Sequence, residues 1–167
     1  RAKTRAKTRK RGAAAAGGGL AWNAWQNYQK SQGQGDQPTA RSEQAFLDRA
    51  QPEGEDVGKS LVRAMIAATK ADGQIDAAEK SAIFEKLETM SLSAEDKAWV
   101  FDEMMGPLDI DAVVNPATTP EMAAELYAAS LVAMTADTPA ERAYLDALAA
   151  RLRLDPELVR QIEASAT

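Results

Sequence analysis

Two stretches of this chain are versions of one another. "MIAATKADGQIDAAEKSAIFEKLETMSLSAEDKAWV", beginning at Met65, runs parallel to "SLVAMTADTPAERAYLDALAARLRLDPELVRQI", beginning at Ser130. Ala71 and Asp72 stand opposite Ala136 and Asp137. After a three-residue deletion, Ala78-Glu79-Lys80 stands opposite Ala140-Glu141-Arg142, Ile83 opposite Leu145, Leu92 opposite Leu154, and Ser93 opposite Asp155. Each unit reads helix, acidic loop, helix, cap, helix. A repeated unit that cannot bury its apolar face alone must share a core with its copy. The expected fold is therefore all-α: a compact bundle of about seven to eight helices, built from two pseudo-repeated helix-loop-helix units related by a pseudo-twofold.

Local punctuation supports helices and no sheet. Leu61, Met65, Ile66 and Thr69 share one face at amphipathic helical spacing. Asp76 and Ser93 each open a helical pattern, and Gly106-Pro107 closes one. Thr119, Thr138 and Asp155 are each followed by proline, the favoured first helical residue after a cap. A short first helix is expected within residues 39–51, ended by Pro52 and Gly54. No segment alternates with period two.

Composition narrows the chemistry. With no cysteine and no histidine, disulfides, thiolate catalysis, Ser-His and Cys-His nucleophiles and the usual zinc and copper ligands are excluded, leaving oxygen donors. Paired carboxylates remain available for acid/base work, which needs two such groups with separated pKa values in a pocket. The sequence offers only carboxylates that read as exposed caps, so no enzymatic activity is expected.

Charge divides the chain. Of its 20 Lys and Arg, seven lie in residues 1–12, "RAKTRAKTRKRG", leaving 13 against 25 acids in the rest. The basic arm (1–12) suits an anionic lipid surface, a nucleic acid or an acidic partner, or is simply a solvated tail. The acidic body repels phosphates and is not expected to bind nucleic acid. Residues 13–30 form a small-residue and aromatic segment whose apolar part is too short to span a bilayer by itself. Trp22, Trp25 and Tyr28 recur there at helical spacing beside the positive arm, the composition of a membrane-interface anchor. The other reading is a short helix whose tryptophans pack on the body. Residues 31–38 read as a Gly/Gln linker, and residues 39–167 as the helical domain.

"KADGQIDAAEK", Lys70 to Lys80, matches the second half of a calcium-binding EF-hand loop, with Asp72, Gly73, Asp76 and Glu79 in ligand and turn positions. The first half fails, because Ala68 and Lys70 stand where carboxylates belong. The same letters read as helix capping: Asp76 and Glu79 make a capping box, as do Thr138 and Glu141 in the second unit. On this reading Gly73 closes the preceding helix in the αL conformation, and Ile75 is a hydrophobic staple. Asp72 and its counterpart Asp137 are left over, near helix C-termini where the macrodipole disfavours them. They point to a partner cation, either a basic side chain or a weakly held Mg²⁺ or Ca²⁺ ion. Trp99, Phe101, Met104 and Met105 are of types that line adaptable interaction grooves, though at this spacing they read first as core.

The "KADGQIDAAEKSAI" helix turn, with a second copy at "TADTPAERAYL", resembles the TerB-like domain of tellurite-resistance proteins. With "GGGLAWNAWQNYQ" ahead of it, the chain is similar to the YebE-type bacterial inner-membrane proteins. The resemblance implies an all-helical bacterial domain linked to the cell envelope and stress responses. Its proposed metal-holding acids correspond to Asp72, Asp76 and Glu79, and in the second copy to Asp137 and Glu141. It implies no enzymatic activity, and the absence of any thiol argues against handling tellurite directly. The functional expectation is a non-catalytic interaction module at the inner face of a bacterial membrane. It would have an unidentified protein partner and anionic lipid contact through residues 1–30; the alternative is a domain that senses Mg²⁺ or Ca²⁺.

Overall fold

The structure, a computed structural model, describes residues 18–33, 42–54, 56–73, 75–89, 91–134 and 138–166. The basic arm and Asp137 lie outside the described residues, as does most of the linker. The described residues form nine helices and no strand: α1 (Gly18–Gln32), α2 (Glu43–Arg49), α3 (Val57–Thr69), α4 (Ala77–Thr89), α5 (Ala94–Met105), α6 (Ile110–Val114), α7 (Pro120–Val132), α8 (Pro139–Arg151) and α9 (Pro156–Ser165).

Helix starts follow the sequence closely, because capping is local chemistry. Thr119, Thr138 and Asp155 accept from the backbone N–H groups of Met122, Glu141 and Glu157, each with proline in the first turn behind it. Ser42, Asp56, Ser93 and Asp109 cap α2, α3, α5 and α6 in the same way. Each such side chain satisfies a donor that the helix itself leaves unpaired.

The core is organised around α7. Every residue from Glu121 to Ser130 is buried, so this helix is enclosed on all sides rather than along one stripe. Its alanines at 123, 124, 128 and 129 let neighbouring backbones approach, and Met122, Leu126 and Tyr127 fill the gaps between them. The most extensive interhelical contacts are α3 with α7 and α1 with α9. Leu126, Leu145, Leu148 and Ile162 are fully enclosed, each burial contributing about 1.5–3 kcal/mol relative to exposure.

The repeat is visible in this packing. The first helices of the two units, α3 and α7, pack together, and each also contacts the third helix of its own unit, α5 or α9. The second helices break the twofold. α8 packs against α7 and α6, whereas α4 has no comparably extensive helix contact among the described residues. Beneath α4 lies a separate small core of Ile66, Ile75, Val100 and Met104, with Ile83, Phe84, Leu92 and Trp99 around it. The second unit gains a further helix: α1 lies along α9 and also meets α7.

Candidate functional site

The acidic turn between α3 and α4 is built as a helix start. The Asp76 N–H donates to Glu79 Oε2 at 2.9 Å, and the Glu79 N–H donates to Asp76 Oδ1 at 2.8 Å. This is the reciprocal capping box, and Thr138 with Glu141 repeats it at 3.0 and 3.2 Å. Two details of the expected turn change. Gly73 takes φ 140° rather than αL while its N–H donates to the Lys70 carbonyl at 3.0 Å, a backbone shape that favours glycine. Ile75 is no staple, because the position it would pack on is Lys80; it is buried in the small core with Ile66, Val100 and Met104. Asp72 is exposed and makes no ion pair among the described residues. No group of three or more carboxylates among those residues is placed to hold a metal ion.

The aromatic stripe of α1 turns inward. Trp25 is only 8% exposed, with its ring centroid 5.4 Å from that of Phe46 and 6.2 Å from that of Tyr28. Trp22 packs on the other side of Phe46 at 5.7 Å, and the Tyr28 hydroxyl donates to Asp155 Oδ2 at 3.2 Å. Ala21 and Ala24 are fully buried, and the contacts of the aromatics run to Phe46 of α2 and to Asp155, the N-cap of α9. No described helix is long and apolar enough to cross a membrane.

Two buried charged groups had no signature in the sequence. Lys70 turns its ammonium toward the end of α5, donating to the carbonyls of Glu103 and of Gly106, the latter at 2.8 Å. It thereby ties the end of α3 to carbonyls that the end of α5 leaves unpaired. Burial lowers the Lys70 pKa, partly opposed by the charge of Glu103. Lys70, Arg63, Ile66, Glu103, Leu108 and Ala112 border a small cleft of about 20 Å³, room for about one water molecule. Glu125, on α7, is 2% exposed, and its Oε1 has no hydrogen-bond partner among the described residues. Burial, with the nearby charge of Glu43, pushes its carboxyl up to about 7.

On α5 the surface is apolar where solvent would favour polar groups. Phe101 is 47% exposed, Met105 58%, and Leu108, just beyond the helix, 42%. Phe101 and Met105 are four residues apart and so share one helical face, and the Phe101 ring lies 6.1 Å from that of Phe84 on α4. Trp99 and Met104 point the other way: Met104 is buried and Trp99 lies beneath Lys59 and Arg63 at 5.5 and 5.4 Å. Of the four residues of α5 whose types suit an interaction groove, two are thus core or surface packing and two are outward-facing. Leu108 is exposed as well, but it borders the cleft beside Lys70 and Glu103.

A family model described as "Protein of unknown function (DUF533)" matches residues 1–166. The chain belongs to the DUF533 family. No curated protein and no solved structure matches it. The described residues of this DUF533 chain combine an all-helical two-unit body, capped acidic turns and an apolar face on α5.

Proposed function

We propose that this DUF533 chain is a non-catalytic helical interaction module, TerB-like in kind, whose acidic body binds a protein partner. The observation that carries this reading is the pair Phe101 and Met105, exposed together on one face of α5 in a body whose other large apolar side chains, Leu108 and Val132 apart, are partly or fully enclosed. Grouped apolar surface of this kind marks an interaction site more often than scattered exposure does. The acids that first suggested chemistry, Asp76 and Glu79, are engaged in capping α4.

Location at the inner face of a bacterial membrane belongs to the same proposal. The stripe of α1 is occupied by Phe46 and Asp155, so the seven basic residues within 1–12 would provide the attachment, by attraction to anionic headgroups. Such attachment is peripheral and salt-sensitive.

The test places a photo-crosslinking residue at Met105 of the full chain in bacterial cells, with Ala147 on the exposed side of α8 as control. A discrete protein adduct from Met105 and none from Ala147 is expected. No adduct from Met105, or equal adducts from both, would overturn the interaction reading. For the location, full-length protein should sediment with membranes at low salt and leave them at high salt. A protein that stays in the supernatant at low salt would refute it.

A further inference from the structure

In the register set by Lys80 opposite Arg142 and Ser93 opposite Asp155, Phe84 stands opposite Asp146 and Phe101 opposite Glu163. In the second unit these positions form an ionic bridge: Arg142 donates to Asp146 at 3.0 Å and to Glu163 at 2.6 Å. The first unit replaces both acids by phenylalanines, which face each other at 6.1 Å. The same helical frame therefore accepts a fully polar arrangement here, so packing alone does not require Phe101 to be aromatic. The first unit nevertheless exposes nearly half of it, extended by Met105 one turn on.

Charge indicates what would cover this face. Phe84 and Phe101 are each followed directly by an exposed acid, Glu85 and Asp102. Helices α4 and α5 together carry seven acids against three bases. Asp102 and Glu85 make no ion pair among the described residues, and Asp109 caps α6 through the Ala112 N–H at 3.2 Å. Lys80, one turn before Phe84, adds a base to this border, where the exposed acids Glu85 and Asp102 outnumber it; a net-acidic border disfavours a second copy of the same face and an anionic lipid surface, since both would set negative charge against negative charge. It favours an apolar stripe flanked by Lys or Arg. Phe101 and Met105 mark one helical turn, the spacing read by anchors at i and i+3 or i+4 of a docked helix. Methionine adapts its shape to such an anchor.

We propose that the face formed by Phe84, Phe101 and Met105 is a docking site for a basic amphipathic helix of a partner protein. This rests on the interaction reading and specifies its site and its partner class. The helix lies across α5 near the α4 side, its apolar residues on Phe101 and Met105 and its basic residues beside Glu85 and Asp102.

The probe is a synthetic helical peptide of about 15 residues, with leucines at i, i+3, i+4 and i+7 and lysines between them. It is titrated into the full ¹⁵N-labelled chain while amide shifts are followed. Two controls have the leucines scattered or the lysines replaced by glutamate. The expected result is saturable shifts centred on residues 84–85 and 101–109, weakened by salt and absent with both controls. The triple variant Lys80→Arg, Phe84→Asp, Phe101→Glu installs the second unit's ionic bridge and should weaken binding by about tenfold or more. If that variant does not fold, Met105→Ser provides the same comparison with less disturbance of the small core. Flat spectra, shifts centred elsewhere, equal binding of either control, unchanged affinity in the folded variant, or self-association through this face would each overturn the proposal. A partner adduct at Met105 in cells together with flat peptide titrations would overturn the helix assignment alone and leave the interaction reading standing.

Discussion

Glu125 lies near the middle of α7, with alanines at 123, 124, 128 and 129 around it and almost no contact with solvent. Its carboxyl, pushed up to about 7 by burial, keeps its proton in the folded state at pH values where the unfolded chain has already released it. The folded state therefore binds more protons between about 4.5 and 7, and stability falls as pH rises through that window. The full effect is about 3 kcal/mol, obtained from the displacement of the pKa. Chemical denaturation from pH 5 to pH 8 should show this decline. Glu125→Gln should flatten it and raise stability at pH 8, and a decline of unchanged size in the variant would mean that another group titrates. Asp76 permits a second test at this scale. Asparagine caps as well as aspartate does, so Asp76→Asn should leave stability within about 0.5 kcal/mol, while Asp76→Ala should cost about 1 kcal/mol. If thermal melts instead showed that millimolar Mg²⁺ stabilises the parent chain and not Asp76→Asn, the acidic turn would be a cation site after all.

Individual helices differ in how far their roles could be read beforehand. The starts of α4, α5, α7, α8 and α9 were legible because a cap side chain and the N–H it accepts from lie within a few residues, with proline directly behind the cap in α7, α8 and α9. The repeat implied that the two units share a core, and the structure places their first helices, α3 and α7, together in it. The role of α1 was not legible: Trp22, Trp25 and Tyr28 would serve equally against lipid or against Phe46, and the choice depends on Phe46 and Asp155, far away in sequence. Glu125 was hidden for a related reason. A glutamate among alanines reads as a solvent-facing residue until α7 is found enclosed on all sides. The docking of α1 has a direct consequence. Trp25→Ala removes a buried ring from the contact with α2 and should destabilise the fold by about 3–5 kcal/mol, the range for large aromatic truncations in cores. A melting temperature unchanged by Trp25→Ala would show that α1 is not part of the cooperative unit and free its aromatic face for a membrane role.

Across the whole molecule the two units are unequal. The second is enclosed: α8 is held by α6 and α7, and α9 is covered by α1. The first has α5 against α3 and a small core of four buried residues beneath α4. Local opening costs least where few apolar contacts must be broken, so α4 should open well before the centre of the bundle. Amide exchange of the full chain measures this difference. Protection should be highest in α7 and α9, approaching the free energy of global unfolding, and lowest in α4, where exchange should be faster by orders of magnitude. Uniform protection across α4 and α7 would contradict the unequal packing and imply that the small core is as firmly held as the large one. The asymmetry bears on function because the less stable half is also the one that presents Phe101 and Met105. A binding helix laid across that face would brace α4 and α5 together, and the protection of α4 should then rise on binding while that of α7 stays where it was.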